Sequence, residues 1–272
     1  DGYWSEYVNA KVTYKLKSTK IDLGIFDRHW GHGVKSIHIS RKSPSYPQFG
    51  FDWKIKKNLN FIYFHGFLNS GVNDSSQSKF YENEISQRLV GIPRNIASHR
   101  IEWKPADKFI LSFNESVIYA VRNIDFHYLI PFTPFYPIEN YLGDIDNIQM
   151  GFDLLYTFKD KQKFYFGFFM DELTPEWIFK SKNHNWFAYQ LGYELDDLIF
   201  QNSSLIVEYN WTDQRIYKHK YKINDFYSHG EPIGFWAGPH SEELLAGYSF
   251  LINRFIININ YSRVKRGLIS DQ

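Results

Sequence analysis

The chain of 272 residues contains no cysteine and only two methionines. The absence of thiols excludes disulfide cross-links, cysteine-type zinc sites and thiol catalysis. No run of about 18 apolar residues occurs, so the sequence has no candidate transmembrane helix. Neither sign of charge dominates, because 31 lysines and arginines oppose 30 aspartates and glutamates. A net charge of +1 supplies no global field for nucleic acid, and we expect no nucleic-acid partner.

Aromatic residues are abundant instead. The chain has 25 Phe, 20 Tyr and 8 Trp, yet its mean hydropathy is only -0.43 and 22% of its residues are charged. A soluble sandwich would not need so many aromatic side chains on a chain that is polar on average. This combination fits a barrel that has a lipid-facing outside and a wet inside.

Apolar and polar residues alternate over much of the chain, as in strands whose two faces meet different media. In 148–158 the even-numbered positions are apolar, and odd-numbered positions such as Gln149 and Asp153 are polar. The same pattern recurs in 8–17, 187–195 and 255–261. Segments of about ten residues are long enough to cross a bilayer when tilted. The sequence therefore predicts an all-β fold, an antiparallel transmembrane β-barrel of the outer-membrane type.

Alternation and β-branched or aromatic content predict fourteen strands. They are 4–17, 20–27, 48–56, 59–68, 99–104, 107–114, 116–122, 147–158, 163–171, 185–195, 203–212, 215–223, 242–253 and 255–265. Long loops are predicted at 28–47, 69–98, 123–146 and 224–241, with a short helix within 79–89. We expect a single barrel domain over 1–272, forming a partial barrel because sequence is missing at both ends.

Two loop clusters combine flat aromatic faces with hydrogen-bond donors, a pairing that suits sugars. The first holds Arg28, His29, Trp30 and His32, and the second holds Trp236 and His240. The two histidines of the first cluster lie three apart, but flanking glycines oppose a helix and no third ligand is near, so we predict no metal site. Packing within the loop is the alternative for each cluster.

A group of carboxylates follows one predicted strand, at Asp171, Glu172 and Glu176. Glycoside hydrolysis needs two carboxylates on opposite sides of the scissile bond, which closeness in sequence does not establish. Charges at a strand end that bond arginine or turn amides are the more common arrangement. Charged residues on the polar side of other strands, such as Asp153 and Glu208, are expected to form a network in the lumen.

The order of several segments resembles the Wzi family of capsule-assembly proteins, outer-membrane barrels that help to hold capsular polysaccharide at the cell surface. The resemblance depends on these motifs: Gly24–Gly33, Ser43–Pro47, Ser98–Ile101, Phe113–Tyr119, Leu129–Phe135, Asp146–Asn147, Asp171–Glu172 and Gly238–Glu242. It implies a large, lectin-like, noncatalytic barrel that helices partly close from the periplasm. Arg100, Glu115, Asp171 and Glu172 are then structural charges of the lumen or loops.

The predicted protein is an outer-membrane barrel of a Gram-negative-type bacterium that binds or anchors capsular or surface polysaccharide. Its expected partners are that polysaccharide and outer-membrane lipid, with no cofactor and no enzymatic activity. A carbohydrate-active enzyme and a passive diffusion porin are the two alternatives. The glycan, the state of the pore, the direction of the strands and the oligomeric state stay open.

Overall fold

The computed structural model describes residues 8–171 and 186–267, which form an antiparallel sheet of twelve strands. Each strand pairs with its neighbour in the chain, except that β10 pairs with β13 because a small hairpin of β11 and β12 lies between them. The strands are β1 Ala10–Lys15, β2 Thr19–Phe26, β3 Tyr46–Lys56, β4 Leu59–Asn73, β5 Gly91–Ala106, β6 Phe109–Ala120, β7 Asn147–Phe158, β8 Gln162–Asp171, β9 Trp186–Asp196, β10 Ser203–Thr212, β11 Tyr227–Ser228, β12 Glu231–Pro232, β13 Ser241–Ile252 and β14 Phe255–Arg266. The helices are α1 Ser75–Ser78, α2 Phe126–Leu129 and α3 Phe135–Leu142. None of the helices within the described residues is long and apolar enough to cross a membrane.

The fold class predicted from the alternation is confirmed, and most strand boundaries agree within a few residues. The predicted loop 69–98 is too long, because β4 extends five residues and β5 extends eight residues into it. Two predicted strands, 107–114 and 116–122, are one strand, β6. The predicted strands divide at Glu115, which places a charge among the outward, apolar positions of β6. Another predicted strand, 215–223, is not a strand, because β13 occupies the edge of β10 that it would need. The predicted helix within 79–89 is only a 3-10 turn at Lys79–Tyr81 that follows α1.

The two faces of the sheet meet different surroundings. One face carries buried polar residues, including Gln48, Ser98, Asn114, Gln149 and Asn210. The other face carries exposed apolar residues, including Leu23, Phe113, Phe152, Leu191 and Leu244. The polar face is the lumen and the apolar face is the lipid-facing wall, as the alternation predicted.

The described long connections all lie at one end of the sheet. They are 27–45, 74–90, 121–146 and 213–240, whereas the opposite end has turns of two to six residues at 16–18, 57–58, 107–108, 159–161, 197–202 and 253–254. Outer-membrane barrels have short periplasmic turns and long extracellular loops. The direction of the strands, which the sequence left open, follows from this asymmetry: β2 runs outward and β3 returns.

Two hydrophobic clusters cover opposite faces of the sheet. The lumen cluster joins strand residues such as Phe64 and Ile96 to residues of two loops, such as Ile37 and Phe235. The outer cluster joins wall residues to the connection 121–146. Since one loop contacts the lumen side of several strands from β7 to β10, the sheet curves around it. Among the described strands, β1 and β14 are the edges and do not pair with each other.

Candidate functional site

The lumen is filled by two long loops, 27–45 and 213–240, which we call the plug. The first loop is fastened to the far wall by Glu208, whose carboxylate accepts from the Val34 and Lys35 amides at 2.7 and 3.1 Å. The Gln190 amide donates to the Lys35 carbonyl at 2.9 Å. Because buried backbone groups are costly to leave unpaired, these contacts hold the loop in place.

The second loop is fastened by Arg94, a buried residue of β5. Its guanidinium donates to the carbonyls of Ile223, Asp225, Asn69 and Tyr227, which include three carbonyls of the loop. The two loops also bind each other, since the Tyr217 hydroxyl donates to the Ile37 carbonyl at 2.7 Å. An arginine has five donors and no acceptor, so four carbonyls satisfy most of its capacity.

A charged centre lies beneath the plug at Arg100 and Asp153. The guanidinium donates to both carboxylate oxygens, at 2.6 and 2.9 Å, and both side chains are buried. The His32 ring is 2.8 Å from the same carboxylate and the His38 ring is 3.7 Å from it. A buried pair of this kind is stable only when further hydrogen bonds satisfy its atoms, and the Glu102 carboxylate accepts one from the Arg100 guanidinium at 2.9 Å.

The first predicted sugar cluster lines a polar cavity of about 340 Å³ below the plug. Arg28, His29, Trp30 and His32 all contribute to it, together with Arg100. The Trp30 ring forms a T-shaped pair with the Phe64 ring, with centroids 5.4 Å apart. Only 5% of Trp30 is exposed, so its ring has no open face on which a sugar could stack. Burial lowers the pKa of both Arg28 and His29. The cavity reaches strand residues near the short turns, such as Lys20 and Asp52.

The second predicted cluster lies at the long-loop end of β13 and β14. Trp236 is half-buried, its ring nitrogen donates to Glu243 at 2.7 Å, and the Lys35 and Arg266 cations lie 5.5 and 5.1 Å from its ring. His240 is exposed and lines a separate pocket of about 330 Å³. We call this pocket the rim site; it is lined by Trp211, Thr212, His240, Ser241, Glu242, Lys265, Arg266 and Gly267.

The residues predicted as structural charges have different positions. Arg100 faces the lumen, and Asp171 is buried there with its carboxylate 3.3 Å from the donating Gln149 amide. Glu115 points the other way, into the outer wall beneath the connection 121–146. Glu172 and Glu176 lie outside the described residues.

Several residues that shape the site were not singled out from the sequence. Arg94 and Gln190 hold the plug. Gln190 is one polar residue among many on an alternating strand, and its position on the polar side was its only signal. Arg94 lies in 69–98, which the sequence predicted as a loop, so nothing in the pattern marked it. The loop that each residue binds lies far from it in the chain. The partner of Gln190 is 155 residues away, and the loop partners of Arg94 are more than 125 residues away.

Comparison with known proteins shows the fold. The chain is similar to Wzi of Escherichia coli, described as an outer-membrane protein involved in group 1 capsule assembly and a carbohydrate-binding β-barrel, with a TM-score of 0.59 and 13% identity. The alignment covers 94% of this chain and 56% of that one. OccK11 of Pseudomonas aeruginosa has a TM-score of 0.48 and 11% identity, over 93% of this chain and 64% of that one. No family model and no curated protein sequence matches the chain.

The fold is that of a Gram-negative outer-membrane β-barrel. The apolar face of the sheet and the asymmetry of its connections agree with this finding, and they place the protein in the outer membrane. The chain spans little more than half the length of the Wzi barrel.

Proposed function

We propose that this barrel binds a surface or capsular polysaccharide at its outer end without cleaving it. The observation that supports this most directly is the plug, because both long loops that enter the lumen are fastened to opposite walls. A plugged barrel suits binding at the rim better than free diffusion through the lumen. The similarity in fold to a carbohydrate-binding barrel supports the same proposal.

The rim site is the better candidate for an extracellular glycan. It lies at the long-loop end, and its exposed His240 and Arg266 offer donors to hydroxyl or carboxylate groups. Trp211 adds a flat aromatic surface to the same pocket. The first cluster, in contrast, lines a cavity under the plug, where a long polymer arriving from outside would have to displace the loops.

The non-catalytic part of the proposal rests on Asp171. This carboxylate is fully buried and bonded to Gln149, so it has no open path to a glycosidic bond. Hydrolysis by a pair of carboxylates requires both groups to reach the bond from opposite sides.

The test is binding of the capsular polysaccharide of the source organism to detergent-solubilised protein by surface plasmon resonance. We expect saturable binding, which the double variant His240→Ala with Arg266→Ala weakens about tenfold or more, since it removes charge-assisted hydrogen bonds. Arg254→Ala, at the opposite end, is the matched control and should bind like the wild type. The polysaccharide is sized by chromatography before and after incubation.

Three results would contradict the proposal. Shortened polysaccharide would favour the enzyme. Absence of binding together with high, steady conductance in a planar bilayer would favour the porin. Full binding by the double variant, together with loss of binding in Trp30→Ala and Arg28→Ala, would show that the first cluster binds the glycan.

A further inference from the structure

Most of the connection 121–146 lies on the lipid-facing wall, and only its end, at Asp144 and Ile145, contacts the plug through Lys220 and Asn224. We call this connection the outer segment. Its Phe132 ring is 4.8 Å from the ring of Phe61, an outward residue of β4. The Tyr63 hydroxyl, also on the outward side of β4, donates to the Tyr128 carbonyl at 2.8 Å. The outer segment therefore descends along the wall from the long-loop end.

A buried polar anchor holds the outer segment to the wall. The Glu115 carboxylate accepts from the amides of Phe135 and Tyr136, both at 2.8 Å, and the His99 ring lies 3.1 Å from it. An ionisable pair on the outward side of a transmembrane strand is costly in hydrocarbon, so the segment shields it from lipid.

The far side of the outer segment carries several exposed apolar side chains. Phe126, Ile130 and Tyr141 are 81%, 55% and 80% exposed. These side chains continue the apolar face of the barrel, which contacts lipid, so the segment adds apolar surface on the membrane side.

An apolar groove separates the outer segment from the wall. It has a volume of about 640 Å³, and Leu129 and Pro131 form one side. The outward residues Ile21, Leu23 and Trp53 form part of the other side. This volume is within the range of small-molecule and lipid-sized sites. The groove opens onto the surface that meets the bilayer.

Exposed lysines lie in the two turns next to the lower end of the groove. Trp53 and the groove residue Thr19 are close to the short turns, where Lys17, Lys54, Lys56 and Lys57 are exposed. The ranges 15–20, 54–59, 104–109 and 158–163 together hold 11 lysines and two aspartates. Clustered lysines at the membrane surface attract anionic headgroups. The short-turn end faces the periplasm, where the leaflet is made of phospholipid.

We propose that the groove between the outer segment and strands β2 to β4 binds an acyl chain of an anionic phospholipid, whose headgroup contacts the lysines in and beside the turns 16–18 and 57–58. The apolar lining holds the chain, and its continuity with the lipid-facing wall gives the lipid lateral access. The lysines select for a negative headgroup. This site is independent of the glycan site, which lies at the other end of the barrel.

Native mass spectrometry of the full chain, exchanged into detergent with phosphatidylglycerol or with phosphatidylcholine of the same acyl chains, tests the proposal. The wild type should retain one phosphatidylglycerol and much less phosphatidylcholine. Leu129→Trp fills the groove and should lower retention of both lipids, whereas Leu244→Trp, on the distant outward wall of β13, should not.

A second set of variants tests the headgroup. The triple variant Lys17→Gln, Lys56→Gln and Lys57→Gln should lose the preference for phosphatidylglycerol, by about fivefold per lysine. The control triple Lys159→Gln, Lys161→Gln and Lys163→Gln removes the same charge elsewhere. Three outcomes would overturn the proposal. Leu129→Trp could retain as much lipid as the wild type, or both triple variants could lose the headgroup preference equally. The protein could also form a dimer in place of binding lipid.

Discussion

At the scale of single residues, the alternation has different consequences on the two faces. Leu191 is 46% exposed on the lipid-facing wall, whereas its neighbour Gln190 is buried in the lumen and donates to Lys35 and Asn210. Polarity alone suggested that positions such as Gln190 tolerate change well. The plug alters this expectation, because a residue that holds a loop is as constrained as a core residue.

We predict that Leu191→Arg destabilises the barrel by roughly 2–4 kcal/mol, since its charge would lie near the middle of the bilayer. The measurement is urea unfolding in lipid vesicles, followed by the migration of unheated protein in gels. Ser204→Arg is the control because it faces the lumen and pairs in register with Asp196. Equal stability of the two variants would mean that the faces are assigned incorrectly.

A second residue-scale prediction concerns His38, whose ring is fully buried in the plug 3.7 Å from Asp153. Burial lowers the pKa of His38 to about 4, although Asp153 opposes the shift. The free histidine pKa is about 6.5, so the unfolded chain takes up a proton before the folded plug does. The contribution of neutral His38 to the free energy of unfolding is therefore complete above pH 6.5 and is lost as the pH falls towards 4.

The corresponding measurement is the urea midpoint at pH 7.5 and pH 4.5. The wild type should lose more stability than His38→Asn over this interval, because asparagine does not titrate. An identical loss in both proteins would assign the pH dependence to other groups.

At the scale of elements, the loops do not all have the same role. Loops 27–45 and 213–240 enter the lumen, and the outer segment covers the opposite side of the wall. The reason is the partner that each connection finds: Glu208 and Arg94 face inward, whereas Glu115 faces outward. An inward or outward charge on a strand is therefore one of the contacts that place each connection, beside the hydrophobic clusters.

We predict that Glu208→Ala releases loop 27–45, because the Val34 and Lys35 amides lose their acceptor. Conductance in a planar bilayer should rise and become noisier than that of the wild type. Glu242→Ala, which removes a carboxylate from the outward side of β13, is the matched control, and its conductance should equal that of the wild type. If Glu208→Ala conducts no more than this control, the loop is held by other contacts.

At the scale of the whole molecule, the asymmetry of the connections orients the barrel. Long loops and the rim site lie at one end, and the lysine-rich short turns lie at the other. This arrangement places the proposed glycan outside the cell and the proposed phospholipid headgroup in the periplasmic leaflet.

The absence of cysteine makes this orientation easy to test with single-cysteine variants. We predict that Gln77→Cys, in α1 at the long-loop end, reacts with a membrane-impermeant maleimide in intact cells. Asp107→Cys, in the β5–β6 turn, should react only after the outer membrane is permeabilised. The opposite order of labelling would show that the assigned orientation of the barrel is wrong.

The sequence by itself determined the fold class, most strand boundaries and the two faces of the wall. These features depend on local periodicity, which is written into neighbouring residues such as those of β7 and β10. It also predicted that the loop residues Arg28 to His32 would gather, and they line one cavity. Whether they bind a glycan stays a prediction.

Only the tertiary structure decided which loops enter the lumen, that the Trp30 ring is covered, and that Glu115 anchors a segment on the outer wall. The segment 215–223 has strand-like sequence but packs within the plug, because β13 takes the edge of β10. Each of these outcomes depends on contacts between residues far apart in the chain. Periodicity carries no information about such contacts, since any inward polar residue satisfies the same pattern.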